Sequence, residues 1–110
     1  MNESSSAPSG RIHRYAHCRA VSGRGEELAG LLLEVAAGLH GFDGCDMYII
    51  NRAADDPDVI WVTELWASRE ALEASLKTPE TQAMIPRVLA LVAEWGDPID
   101  VVPLGGHGLP

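Results

Sequence analysis

Glu64 stands two residues before Trp66 in the segment Glu64-Leu65-Trp66, and in an extended strand that spacing puts both side chains on one face. A carboxyl buried there is pushed towards its neutral form, so its anion is a stronger base. The indole of Trp66 has a flat apolar face and an N–H that seeks a partner when buried, and the phenol of Tyr48 combines the same two properties. His17 is a second candidate base, because imidazole exchanges protons near neutral pH. Asn51 has an amide that can hold a ligand oxygen, Met84 and Ile85 can form an apolar wall, and Arg87 can bind a substrate oxygen or pair with Glu64. These residue types suit a flat, oxygen-bearing ring and the movement of a proton on it. Each also has a structural alternative: core or interface aromatics for Trp66 and Tyr48, a strand histidine for His17, an ion pair of Glu64 with Arg52 or Arg87, a hairpin amide bonding local backbone for Asn51, and plain core packing for Met84 and Ile85.

The elements that must position these residues are legible from periodicity and punctuation. Residues 11–21, with Ile12, Tyr15, Cys18 and Val21, read as a strand that ends at Ser22-Gly23. Leu28, Leu31, Leu32, Val35 and Leu39 fall on one stripe and predict a helix over 25–40, with Glu26 and Glu27 in its first turn and Gly41 placed for a left-handed cap. Gly30 and Gly38 either weaken it by about 1 kcal/mol each or admit a close neighbour. Residues 45–51 and 59–66 are rich in β-branched and aromatic side chains and form a hairpin with a rather long loop over residues 53–58. Ser68 caps a short helix carrying Ala71, Leu72 and Leu76. Thr78-Pro79 opens another, whose stripe runs from Met84 through Val88 and Val92 to Trp95, with a kink expected at Pro86. Gly96-Asp97-Pro98 ends it, and residues 99–104 form the last strand. Residues 1–10, rich in Ser and Pro, are expected to be a disordered arm, residues 11–104 the domain and residues 105–110 a tail.

The order β, α, β, β, α, β predicts an α+β, ferredoxin-like sandwich: a four-stranded antiparallel sheet with its helices on one face. The other face then exposes residues such as Trp61 and Leu65, an apolar patch too large for a typical monomer. A homodimer whose sheets pack face to face into a barrel is the expected unit.

Eight Lys plus Arg against sixteen Asp plus Glu give a net charge of -8 with no basic block, which argues against nucleic acid and anionic lipid as partners. No apolar run reaches the length that crosses a bilayer, and residues 1–10 do not read as a secretory signal, so a cytoplasmic location is expected. Cys18 and Cys45 and the histidines His13, His17, His40 and His107 lack metal-ligand spacing, so no metal is expected. His40 suits a helix C-terminus and His107 belongs to the Gly-rich tail.

The stretch from Gly44 to Ala83, with Gly44-Cys45, Tyr48, Glu64-Leu65-Trp66, Ser68, Glu70, Ala71, Leu72 and Thr78-Pro79, resembles the antibiotic biosynthesis monooxygenase (ABM) domain family of dimeric α+β barrels. The resemblance spans roughly residues 12–104. It implies oxygen insertion into a phenolic, quinol or anthrone-type aromatic substrate without metal or flavin, so O2 and a small aromatic molecule are the expected partners and no cofactor is expected. His17, Glu64 and Trp66 are then candidate catalytic residues, with Tyr48, Asn51, Met84, Ile85 and Arg87 holding the substrate. The Trp, His and Asn of the haem-degrading members would fall at Ser75, Ile85 and near Ala16, and none is present. Many members carry His where this chain has Ser75. That leaves two other readings: a dimeric accessory protein that binds an aromatic intermediate, or an isomerase or cyclase built on the same scaffold.

Overall fold

The computed structural model describes residues 10–109; all but Gly10 of the expected N-terminal arm lies outside them, as does the last residue of the tail. Eight elements follow one another: β1 (Ile12–Ala20), α1 (Gly25–Gly38), β2 (Cys45–Ala53), β3 (Asp56–Trp66), α2 (Arg69–Ser75), α3 (Pro79–Leu89), β4 (Val92–Trp95) and β5 (Ile99–Val101). The strands form one antiparallel sheet in the order β2-β3-β1-β4, and β5 pairs with β1 beside β4. This is the ferredoxin-like α+β architecture expected from the element order. No helix among the described residues is long and apolar enough to cross a membrane.

Strand alternation sorts the sheet into two faces. Ile12, Cys18 and Ala20 of β1 and Ile60, Val62 and Trp66 of β3 are buried under the helices. The stripe of α1 supplies Leu28, Leu31, Leu32 and Leu39 to the same core, as its spacing predicts. His13, Tyr15, His17, Trp61 and Thr63 lie on the opposite face, with Ile49 and Ile99 more than two-fifths exposed there.

A distant carboxylate fixes where α1 begins. Arg24, at the N-cap, provides no side-chain bond; instead Asp58 of β3 accepts from the backbone N–H of Gly23 at 2.9 Å and of Gly25 at 3.0 Å, satisfying helix donors that otherwise lack partners. A Cβ at Gly25 would collide with the Pro57 carbonyl oxygen and lie 2.8 Å from the Asp58 Cα. Gly30 and Gly38 face open space, so the close approach considered for them occurs at Gly25. Gly41 takes φ +83° just beyond the helix, as its position predicts.

Two expectations are corrected. The hairpin loop is short: β2 and β3 run on to pair Ala53 with Asp56, with an irregularity in register between Arg52 and Ala53. Asp56 and Asp58 are not loose turn residues, since Asp56 accepts from the Asp58 N–H and from Arg19. The helix expected to reach Trp95 ends at Leu89, and Val92–Trp95 is β4, with Cys18 opposite Trp95. Val92 and Trp95 continue the helical spacing, but the edge of β1 provides backbone partners for a strand, and over four residues periodicity does not separate the two. The helix itself passes Pro86, whose missing N–H leaves the Gln82 carbonyl without its helical donor. Ser68 and Thr78 cap α2 and α3 as expected, accepting from the N–H groups of Ala71 and Thr81.

Candidate active site

The inward face of β1 carries two small side chains in succession, Ala16 and Cys18, with Val62 opposite Ala16 on β3. Small residues on the sheet leave space below α1 and α3, and that space is a cavity of about 250 Å³. Its walls are apolar, with Val35 from α1, Met84, Ile85 and Val88 from α3, and Trp95, more than half exposed, from β4. Glu64 and Tyr48, opposite one another on β3 and β2, bring polar side chains to it from the sheet, and His17 of β1 and Thr81 of α3 also border it. A recess of about 70 Å³ shares Val35, Tyr48, Glu64, Leu76 and Thr81 with the cavity and reaches Arg14 and Ser75.

The sheet row and the indole hold Glu64. The Nε1–H of Trp66 donates to Oε1 of Glu64 at 2.8 Å. Burial pushes the Glu64 carboxyl above its ordinary range; the Trp66 hydrogen bond and the charge of Arg14 pull it back, and Asp100 adds a smaller upward push. Burial, helped by Glu64 and Cys45, raises the Tyr48 phenol well above its ordinary value, so it stays protonated and can donate. The arrangement is a proton acceptor beside a proton donor at the edge of an apolar chamber, a combination suited to acid–base work on a ring oxygen or an adjacent carbon.

Tyr48, Glu64, Met84 and Ile85 therefore come together around the cavity, with His17 also on its border. Trp66 does not line the cavity. It is 1% exposed, packed edge-on to Phe42 and Tyr48 at ring distances of 6.3 and 6.5 Å, and it touches the site from behind, through Glu64 and Tyr48. His17 borders the cavity from β1, but its imidazole stacks on Trp61 at 4.4 Å and lies over Gly96, where a Cβ would collide with it. An odd residue on β1 faces away from the even row that includes Ala16 and Cys18. Asn51 is on the Trp61 face, its amide donating to the Trp61 carbonyl at 3.1 Å and to Thr63 Oγ1 at 3.3 Å. Arg87 borders a separate open groove of about 440 Å³ between α1 and α3, 3.8 Å from Glu34.

Sequence reading missed Arg14 and Asp100, and it put Trp95 on a helix instead of on the strand that brings it to the cavity. Arg14, rather than Arg52 or Arg87, is the arginine whose charge Glu64 feels, because it sits directly opposite on β1. The run Arg14, Ala16, Cys18, Ala20 at alternate positions was the available signal: small inward side chains ending in a charge mark a strand that does not fill its own core. Ser75 is buried and donates its Oγ–H to the Leu72 carbonyl at 2.6 Å, as helical serines often do.

Comparisons with known proteins agree with this fold. The family model described as Antibiotic biosynthesis monooxygenase matches residues 11–87. A crystal structure from Chloroflexus aurantiacus, named for the antibiotic biosynthesis monooxygenases, superposes with a TM-score of 0.81 at 34% identity, over 91% of this chain and 99% of that one. A second of that name, from Caulobacter crescentus, gives 0.72 at 26% identity over 84% and 86%. A Mycobacterium tuberculosis protein shares the fold with a TM-score of 0.77 at 20% identity over 89% and 99%. No curated protein shows significant similarity.

Proposed function

The chain belongs to the antibiotic biosynthesis monooxygenase family, and from that premise we propose that it oxidises a small phenolic, quinol or anthrone-type aromatic with O2, without a cofactor, using Glu64 as the base. The observation that carries the reading is the half-buried Glu64 carboxyl at the edge of a largely apolar cavity, opposite a protonated Tyr48.

For a ring methylene activated by a neighbouring hydroxyl or carbonyl, the steps balance as follows. Glu64 takes one C–H proton, and Tyr48 donates to the oxygen that receives the charge. The substrate anion passes one electron to O2, and the radical pair joins to form a C–O bond. The resulting peroxide anion recovers the proton from Glu64. Glu64 then removes the second C–H proton as the O–O bond breaks, which leaves a ring carbonyl and hydroxide, and the hydroxide takes that proton to leave as water. Met84 and Ile85 help keep bulk water from the carbanion, and Trp66 holds Glu64 in place. His17, Asn51 and Arg87 have no part in this scheme.

The homodimer expected from the apolar open face belongs to the same proposal. Oxygen uptake by metal-free protein with a panel of hydroquinones and anthrones tests the activity, with one O2 consumed per carbonyl formed from an anthrone. Absence of uptake across the panel removes the oxygenase reading. One observation favours the accessory-protein alternative: Ser75, where many members carry His, has its hydroxyl committed to the Leu72 carbonyl. Tight binding of the same aromatics with no product supports that alternative, and product formed under strict anaerobiosis supports an isomerase or cyclase.

A further inference from the structure

The row that carries Glu64 continues across the sheet. Tyr48 of β2, Glu64 of β3, Arg14 of β1 and Asp100 of β5 are opposite one another in successive antiparallel pairs, so their side chains share the helix-side face. Arg14 stands between two carboxylates and bonds one. Its Nε donates to Asp100 Oδ1 at 2.7 Å and its Nη2 to Oδ2 at 3.0 Å, a bidentate geometry that is among the stronger hydrogen-bonded pairs. Arg69, at the start of α2, adds two donors to Oδ2 at 3.3 Å. Among the described residues, Glu64 accepts its side-chain hydrogen bond from Trp66 and none from Arg14.

We propose that Asp100 is a positioning residue for Glu64: its carboxylate holds the Arg14 guanidinium to itself and so keeps Glu64 from being locked in an ion pair, free to take and return a proton. The inference rests on the proposed role of Glu64 and extends it to a residue beyond the segment 11–87 that the family model matches. A guanidinium shared between two carboxylates goes to the one that fits its fork, and Asp100 makes that fit with Arg14 even though Arg69 competes for its Oδ2. The groups around Glu64 are few. Tyr48 and Cys45 face it from β2, Arg14 from β1 and Asp100 from β5, with Arg69 of α2 behind Asp100. The α1 and α3 walls present Val35, Thr81 and Met84, none of them charged. With Asp100 neutralised, Arg14 turns to Glu64 and stabilises its anion, making it a weaker base.

The test is an NMR titration of the Glu64 side-chain carboxyl in the ligand-free, full-length protein, its resonance assigned with Glu64→Gln. Asp100→Asn is expected to lower the Glu64 midpoint by at least about half a pH unit. Loss of the Asp100 charge alone also acts in that direction, so the decisive measurement is the same substitution in an Arg14→Met background, where less than half of the shift should remain. A midpoint that Asp100→Asn leaves in place, or a shift that is undiminished in the Arg14→Met background, overturns the proposal. Should Asp100→Asn fail to fold, Arg69→Gln serves: it frees Asp100 for Arg14, so the midpoint stays or rises, and a fall counts against the tether. The titration needs no turnover, so it is readable even if no aromatic is oxidised. Where turnover is found, the acid limb of the kcat profile should move with the NMR midpoint.

Discussion

The indole Nε1–H of Trp66 points at Oε1 of Glu64 from 2.8 Å, although Trp66 is itself walled off from the cavity that Glu64 borders. A hydrogen bond to an ionised acceptor favours the anion, so this contact opposes the effect of burial on the same carboxyl. Trp66→Phe removes the donor and part of a side chain that is 1% exposed. We expect a loss of about 2–3 kcal/mol in urea unfolding and a higher Glu64 midpoint by carboxyl NMR. An unchanged midpoint would show that the indole only packs.

Glu64→Gln separates function from stability. Burial holds the folded carboxyl above its unfolded value, so between the two the folded state binds the proton more tightly. The stability gained by keeping Glu64 neutral is complete below about pH 4.3 and disappears as pH rises through the folded value. Gln is neutral throughout and escapes that loss. The variant should melt above the wild type at pH 7 to 8 and level with it near pH 4 in scanning calorimetry. Its oxygen uptake should fall by about 10² to 10⁴. Equal melting temperatures across that range would contradict a raised Glu64.

Much of this arrangement can be read from the chain. The Leu28 to Leu39 stripe, the Ser68 and Thr78 caps and the two-residue step from Glu64 to Trp66 are local signals, and the fold follows them. What could not be read was register. Arg14 lies opposite Glu64 only because β1 sits between β3 and β5, a pairing between residues 50 positions apart. Register also decides that His17, whose type suits a base and which borders the cavity, stacks its imidazole on Trp61. Val92–Trp95 was misread because a strand edge outweighs a four-residue continuation of helical spacing.

Asp58 and Gly25 make a second long-range test. A Cβ at Gly25 meets backbone at Pro57 and Asp58, whereas one at Gly30, on the same helix, meets nothing within 4 Å. Gly25→Ala should cost more than about 2 kcal/mol, through collision and loss of the Asp58 clamp. Gly30→Ala should gain about 0.5–1 kcal/mol from helix propensity. Thermal unfolding of the two variants distinguishes them by sign, and a destabilised Gly30→Ala would mean that the groove beside it is not open.

The open face of the sheet decides the assembly. Ile49 is 46% exposed and Ile99 58%, on the face that also carries Trp61 stacked on His17. Leu65, opposite both His13 and Met47 on that face and expected to be exposed there, is instead fully buried within the single chain, so that end of the face is already covered. Two copies that stack these faces would enclose an apolar layer, and a stable pair needs about 1,200–2,000 Å² of buried surface. Sedimentation equilibrium at micromolar concentration should give a dimer for the wild type. Ile49→Lys places a charge in that layer and should give a folded monomer with an unchanged far-ultraviolet spectrum. A wild type that sediments as a monomer would leave the face to some other partner and end the case for a barrel of two sheets.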